Sequence, residues 1–290
     1  MRPGSDNRAA AESQRGGPLT ETARYWRPVD IPGLELLRAS FSRQNFAPHV
    51  HPCYAFGVIE SGAMAFDYLG RGHVAAAGEI NLVVPGEVHD GRAAGPGWTY
   101  RMFYLAQDHL SRAAGEMAGR SQAPPYFPSG VLKDPEAAAA LSGLHLSFCR
   151  PGPFRLERES RLLSILAGLI RRHASAPPPA AKAGREPGAV KKARELLEER
   201  FGENPSLEDL SRAAGLTRYH LLRVFKQQTG LTPHAYLDLA RLGRARELLD
   251  RGAPIAAAAT AAGYSDQSHL NRRFKRVYGI TPGQYRNSVQ

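Results

Sequence analysis

Residues Ile255–Arg286 read IAAAATAAGYSDQSHLNRRFKRVYGITPGQYR, and Leu207–Leu237 read LEDLSRAAGLTRYHLLRVFKQQTGLTPHAYL. The two stretches follow one pattern. Ala213-Ala214-Gly215 matches Ala261-Ala262-Gly263 at an offset of 48, and after one inserted residue His220-Leu221 matches His269-Leu270 at 49. Arg223 then pairs with Arg272, Phe225-Lys226 with Phe274-Lys275, Gly230 with Gly279, Thr232-Pro233 with Thr281-Pro282 and Tyr236 with Tyr285. A match of this extent is one supersecondary unit used twice.

Local chemistry identifies the unit. Ser206 with Asp209 three residues on is a capping signature, and Leu207, Leu210, Ala213 and Ala214 make a short amphipathic helix. Gly215 ends it, where a tight turn calls for a left-handed residue. Thr217 can cap a second helix that buries Leu221, Val224 and Phe225 and stops at Gly230. A short helix, a glycine turn and a second helix with basic exposed positions predict a helix-turn-helix. Thr-Pro follows each copy, with Thr as N-cap and Pro at the first position of the next helix. Six of the seven residues Ala256–Ala262 are alanine, which helix formation and close packing explain without any site role. His234–Asp250 predicts a rigid connecting helix. If it spaces the two recognition helices by about 34 Å, both could enter successive major grooves. His220 and His269 occupy matched positions beside buried residues and read as structural or phosphate-contacting groups.

The region from about Val190 to Arg286 resembles the AraC/XylS family of bacterial transcription activators, most specifically through GYSDQSHLNRRFKRVYGITPGQYR. The resemblance implies a seven-helix domain with two helix-turn-helix units that binds promoter DNA. By motif position, base readout falls to Arg218, Tyr219, Leu222 and Arg223 in the first unit, and to Asp266, Gln267, Ser268, Asn271 and Arg272 in the second. Arg can fork onto guanine, and Gln or Asn onto adenine. Leu222 stands where a polar reader is expected and either touches a thymine methyl or reads nothing. Lys226, Arg273, Lys275 and Arg276 suit phosphates.

The rest of the chain reads differently. Between Leu34 and Leu105 short apolar runs alternate with period two: Tyr54, Phe56 and Val58; Met64, Phe66 and Tyr68; Trp98, Tyr100, Met102 and Tyr104. Turn signals fall at Ser61-Gly62, Gly70-Arg71-Gly72, Ala77-Gly78 and Pro85-Gly86, which predicts a β-sandwich or barrel. From Phe46 to Leu105 the pattern, with His49-Val50-His51 ahead of a strand and GEINLVVPGEVH ending at His89, looks like the cupin domain that senses small molecules in many members of the family. In metal-dependent cupins two His, a nearby Glu and a distant His bind one ion. Here Ala55 and Phe56 stand where that Glu would be. Three His could still ligate zinc, iron or nickel. The reading adopted is a dry, aromatic-rimmed effector cavity formed by His49, His51, Tyr54, Phe56, His89 and Tyr100, with no metal and no other cofactor. Plain core packing is the competing role for the aromatics. A cupin enzyme fused to a DNA-binding module is an alternative that the missing Glu argues against. A constitutive DNA-binding protein with an inert β domain is another.

Pro153–His173 predicts one charged helix with an apolar stripe of Leu162, Leu163, Leu166, Leu169 and Ile170, which covers the β domain, forms a dimer seam, or does both.

 In the domain plan, residues 1–18 are a mobile arm and 19–173 a cupin-like effector-binding and dimerisation domain. Residues 174–188 (ASAPPPAAKAGREPG) are a linker, and 189–290 are the DNA-binding domain. The fold class is therefore α+β in two domains, a β-barrel with helices followed by an all-α domain.

Bulk composition agrees with this plan. The chain has 290 residues, a net charge of +11 and only two cysteines, Cys53 and Cys149, so a cytoplasmic, disulfide-free protein is expected. Residues 188–290 hold 17 Lys/Arg against 10 Asp/Glu, a denser positive charge than the remainder, which suits a polyanionic partner. No apolar run reaches the roughly 18 residues that a membrane span needs, and no secretory signal is read at the N-terminus. The expected partners are double-stranded promoter DNA, a small-molecule effector, a second copy of the chain and, for an activator, RNA polymerase. No enzymatic activity is expected.

Overall fold

The computed structural model describes residues 21–150, 152, 154–179 and 186–289. The expected arm at 1–18 and the centre of the 174–188 linker lie outside them. The described chain divides into two compact units.

The first unit is an antiparallel sheet of eight strands: β1 (Thr22–Trp26), β2 (Leu34–Phe41), β3 (Asn45–His49), β4 (Tyr54–Tyr68), β5 (Arg71–Ala76), β6 (Ile80–Val83), β7 (His89–Leu105) and β8 (Val131–Leu132). The order is β1-β2-β7-β4-β6-β8, with β3 added to β7 and β5 to β4. The long strands β4 and β7 are the spine, paired from Tyr54↔Leu105 to Tyr68↔His89 with register shifts at Ile59/Ser61 and Gly62/Met64. Ser61-Gly62 therefore does not separate two strands as expected. It bends one. Gly62 has φ +70°, and a Cβ there would lie 2.0 Å from the Gly97 carbonyl oxygen, so only glycine lets β7 pass that close. The turns expected at Gly70, Gly78 and Pro85-Gly86 do connect strands.

The second unit is helical. It contains α1 (Gln107–Ala118), α2 (Pro135–Ser147), α3 (Arg155–His173), α4 (Pro187–Glu199), α5 (Leu207–Ala214), α6 (Arg218–Thr229), α7 (Pro233–Asp250), α8 (Ile255–Ala261), α9 (Gln267–Tyr278) and α10 (Pro282–Val289), with the start of α2 assigned to the first unit. The C-terminal seven, α4 to α10, match the number that the resemblance implies. Helices α1 and α3 pack on α5, α6 and α7 within this unit, so the compact body reaches further back along the chain than the 174–188 linker. The apolar stripe of α3 is consumed inside the chain: Leu162, Leu163, Leu166, Leu169 and Ile170 are all buried. The stripe is therefore occupied by packing within the chain. The alanine-rich α8 packs Ala258 and Ala259, with Ala262 just after it, against Leu242, Leu249, Leu270 and Phe274, where small side chains permit close approach. Among the described residues no helix is long and apolar enough to cross a membrane.

Candidate functional site

The two recognition helices start from matched caps. Ser206 and Asp209 form the expected capping box at α5, and Gly215 ends that helix with φ +67°. Thr217 caps α6 by accepting the His220 N–H at 3.2 Å. In the second copy Asp266 takes this place and accepts the His269 N–H at 2.7 Å. Its carboxyl sits below the usual aspartate range, first because of that backbone bond and then because Ser265 donates to it. This corrects the expectation of a base reader at Asp266: the carboxylate is committed to a cap, which a repeat with Thr217 as its counterpart could have revealed. Thr232 precedes Pro233 as expected, but its hydroxyl bonds to the His234 ring instead of the helix backbone.

Along α9, Gln267, Ser268, Arg272, Lys275 and Arg276 are exposed, and Asn271 is half-buried. On α6, Lys226 is exposed and Arg223 half-buried, its guanidinium 5.7 Å over the Tyr219 ring. Tyr219 and Leu222 are buried, at 9% and 7% exposure, so this arrangement offers neither to a base edge. The physical reason lies in helix geometry. The buried residues Val224, Leu221, Phe225, Leu222 and Tyr219 follow one another around α6 over an arc wider than a single face, with Tyr219 at its edge beside Leu222.

Two arginines expected to meet DNA are held by carboxylates from upstream helices. Glu116 on α1 accepts from Arg218 Nε at 2.8 Å and Nη2 at 2.5 Å, and its other oxygen accepts the Tyr219 N–H at 3.0 Å. One carboxylate thus takes both a forked guanidinium and a helix N-terminal donor, the two features with which a helix engages phosphate. Glu157 on α3 accepts from Arg273 Nη2 at 2.9 Å, and Asp238 lies 3.7 Å from Arg273 Nε. Glu159 accepts the Leu207 N–H at 2.7 Å, at the start of α5. Burial raises the Glu157 carboxyl, but Arg273, His234 and Arg161 outweigh it and hold the group below its ordinary value, charged at neutral pH. None of the three carboxylates was singled out in the sequence, because each lies in an upstream helix far from the residue it meets. His269 is buried and packs against the Tyr264 ring at 5.0 Å, which favours the structural over the phosphate-contacting role.

In the first unit a cavity of about 150 Å³ opens between β3, β4, β6 and β7. A buried water needs roughly 10–15 Å³ by the same measure, so this space suits a small organic molecule. His49, His51, His89 and Tyr100 line it, as expected. Tyr54 and Phe56 do not. They are almost completely buried and stack with ring centroids 6.2 Å apart on the opposite face of β4, and it is Ala55 between them that faces the cavity. Phe46, Met64, Asn81, Met102 and Tyr104 complete much of the lining and were missed as site residues. The alternation of Tyr100, Met102 and Tyr104 on β7 was the available signal for two of them.

The three imidazoles converge, with one ligand atom from each lying within 4.8 Å of the others. His49 Nδ1 contacts the Ala47 carbonyl oxygen at 2.8 Å and His89 Nδ1 the Glu87 carbonyl oxygen at 3.1 Å. Each Nδ1 must carry its proton to make that bond, so both Nε2 atoms are acceptors. His51 Nε2 then donates to His49 Nε2 at 3.2 Å. Burial, followed by the neighbouring His89 and His49, depresses His51 to about 4. Burial also lowers His89. Three such imidazoles are the residues here that could hold a divalent ion.

Family models match both the ligand-binding and the helix-turn-helix parts of the chain. Residues 31–166 match the model of the AraC-like ligand binding domain, and residues 210–288 that of a helix-turn-helix domain. The HTH-type transcriptional regulator YbfI of Bacillus subtilis is 34% identical over 248 residues, covering 82% of this chain and 86% of that protein. The HTH-type transcriptional activator RhaS of Escherichia fergusonii is 36% identical over 91 residues, 31% of this chain and 33% of its own. Among solved structures, the DNA-binding domain of AdpA in complex with a target DNA is similar at 24% identity and a TM-score of 0.33, over 34% of this chain and 91% of that one. The chain belongs to the AraC family of DNA-binding transcription regulators, with an N-terminal ligand-binding domain and a C-terminal helix-turn-helix domain.

Proposed function

We propose that this regulator reads promoter DNA through α6 and α9, and that an effector in the β-unit cavity governs whether those helices are available. The observation that carries the reading is Glu116 on Arg218 and the Tyr219 N–H, reinforced by Glu157 on Arg273. DNA cannot take these donors while the carboxylates hold them, so the contacts restrain DNA binding until they open. Strand β7, which contributes Tyr100, Met102 and Tyr104 to the cavity, ends at Leu105, and α1 with Glu116 begins at Gln107. An effector that fits the cavity better in one arrangement than in the other shifts the balance by its differential affinity.

Readout rests on Arg218 and Arg223 in the first unit and on Gln267, Ser268, Asn271 and Arg272 in the second. Lys226, Arg273 and Lys275 neutralise phosphates. The output is activation, in keeping with the activator RhaS among its relatives, with RNA polymerase and a second copy of the chain as partners. A cytoplasmic protein without enzymatic activity fits this role.

The test is selection of genomic fragments by the purified full-length chain at fixed physiological salt, beside the Arg223→Ala/Arg272→Ala double variant. A few fragments enriched by wild type alone are expected, with each arginine contributing about 1–3 kcal/mol of discrimination. The same unselective mixture from both proteins would leave only nonspecific charge and sink the reading.

A further inference from the structure

We propose that His49, His51 and His89 hold one divalent transition-metal ion, and that the ion presents its open side to a small hydroxycarboxylate effector in the cavity. The inference rests on the reading of this cavity as the effector site and names the chemistry of its ligand.

The first support is how the imidazoles are held. Metal-bound histidines commonly donate their second ring N–H to a carbonyl oxygen, which fixes the tautomer and aims the lone pair. Ala47 and Glu87 supply such carbonyls to His49 and His89, from residues two positions earlier in each case. Tetrahedral zinc with nitrogen ligands at about 2.0–2.1 Å places those nitrogens about 3.3 Å apart. The His49 and His51 Nε2 atoms are 3.2 Å apart, and the proton that His51 donates between them moves to its Nδ1 when the ion takes that nitrogen. All three ligand atoms lie within 4.8 Å of one another.

The second support is charge. Three neutral imidazoles leave a divalent ion with its full charge, and Ala55 lines the cavity on the strand that follows the histidine pair. The lining carboxylate, Asp90, already accepts the Asp67 N–H at 2.7 Å and lies 3.3 Å from Arg92 Nη1. An ion held this way in a half-buried site is best neutralised by an anionic ligand. Three protein ligands leave a coordination position for it.

The third support is Asn81. It lines the cavity, it is 3% exposed, and its Oδ1 is buried without a hydrogen-bond partner in the protein. A buried acceptor of this kind is costly unless something donates to it. Across the sheet, Gly57 leaves the room that Asn81 occupies: a Cβ there would lie 2.0 Å from Asn81 Oδ1 and 2.2 Å from Met102 Sδ. A ligand hydroxyl would satisfy the oxygen while its carboxylate meets the ion. Met64, Met102 and Phe46 leave the remaining wall apolar, which limits the ligand to a small one.

The experiment uses untagged full-length protein, Co2+ as the metal probe and glycolate as the ligand probe. Wild type is expected to take one Co2+ per chain, with visible absorption bands that shift on addition of glycolate and not of the neutral diol ethylene glycol. His51→Gln and His89→Gln should each weaken Co2+ binding by at least about tenfold. Asn81→Leu should weaken glycolate about tenfold and leave Co2+ uptake unchanged. Absence of stoichiometric Co2+ in wild type overturns the proposal without reference to any variant, and so does undiminished uptake by a folded His51→Gln/His89→Gln protein. Equal responses to glycolate and ethylene glycol overturn the carboxylate assignment. Operator binding by the same preparation keeps the two readings separate: selective DNA binding without cobalt uptake retires only the metal, whereas unselective DNA binding retires the proposed function.

Discussion

The two helix-turn-helix units share a pattern and differ in what their recognition helices present. On α9 Gln267 and Ser268 in the first turn and Arg272 in the second are exposed. On α6 the first turn is engaged: Arg218 and the Tyr219 N–H meet Glu116, and Tyr219 and Leu222 are buried. Their interiors correspond, since Phe225 and Phe274 are both fully buried at matched positions. A duplicated unit keeps its packing residues in register because each copy must bury the same face. Its other positions are free to serve different neighbours: Glu116 meets the N-terminal turn of α6, whereas on α9 the carboxylate contact falls further along, at Arg273 with Glu157.

The largest effect tests the shared interior. Phe225→Ala and Phe274→Ala should each cost about 3–5 kcal/mol, because each leaves a cavity in its own small core. Chemical denaturation checks this, and a cost near zero for either would break the equivalence of the two copies. The next tests the asymmetry. Glu116→Gln removes the charge that holds Arg218 and should raise affinity for operator DNA by about 1–2 kcal/mol, the scale of an ordinary coupling energy. Fluorescence anisotropy with labelled operator reads it, and unchanged affinity would show that the contact restrains nothing.

The smallest effects concern the caps. Thr217→Ala should destabilise the first unit by about 1 kcal/mol. Asp266→Asn keeps an acceptor for the His269 N–H and should change stability little at neutral pH. The pH dependence should separate it from wild type. Folding lowers the Asp266 carboxyl below its ordinary value, so the stability it contributes is complete above that value. It drains as pH falls through the lowered value of the folded state. Thermal melts from pH 7 to pH 3 should therefore show wild type losing more stability than Asp266→Asn, and parallel curves would remove the charged cap from the account.

Much of the helical unit was legible residue by residue. The capping box, the stop at Gly215 and the buried faces of α5 and α6 all follow from contacts within a few positions, so spacing alone exposes them. The cap at Asp266 was misread because its position invited comparison with DNA readers rather than with Thr217. The cavity was legible in part. The histidine pair and His89 marked it, but Tyr54 and Phe56 were placed on the wrong face. Residues 54–59 are buried without a break, so polarity does not tell the cavity side of β4 from the core side.

The sequence by itself determined the duplicated helix-turn-helix, the β-rich character of the residues before it and the family to which both belong. These are local or repeated signals, carried by period, caps and motif spacing. Only the tertiary structure decided that Ala55 faces the cavity, that Asn81 stands in it with an unmet acceptor, and that Glu116 meets Arg218 across 102 residues of chain. Each of those depends on which segments the fold brings together, and no residue's spacing to its chain neighbours encodes that.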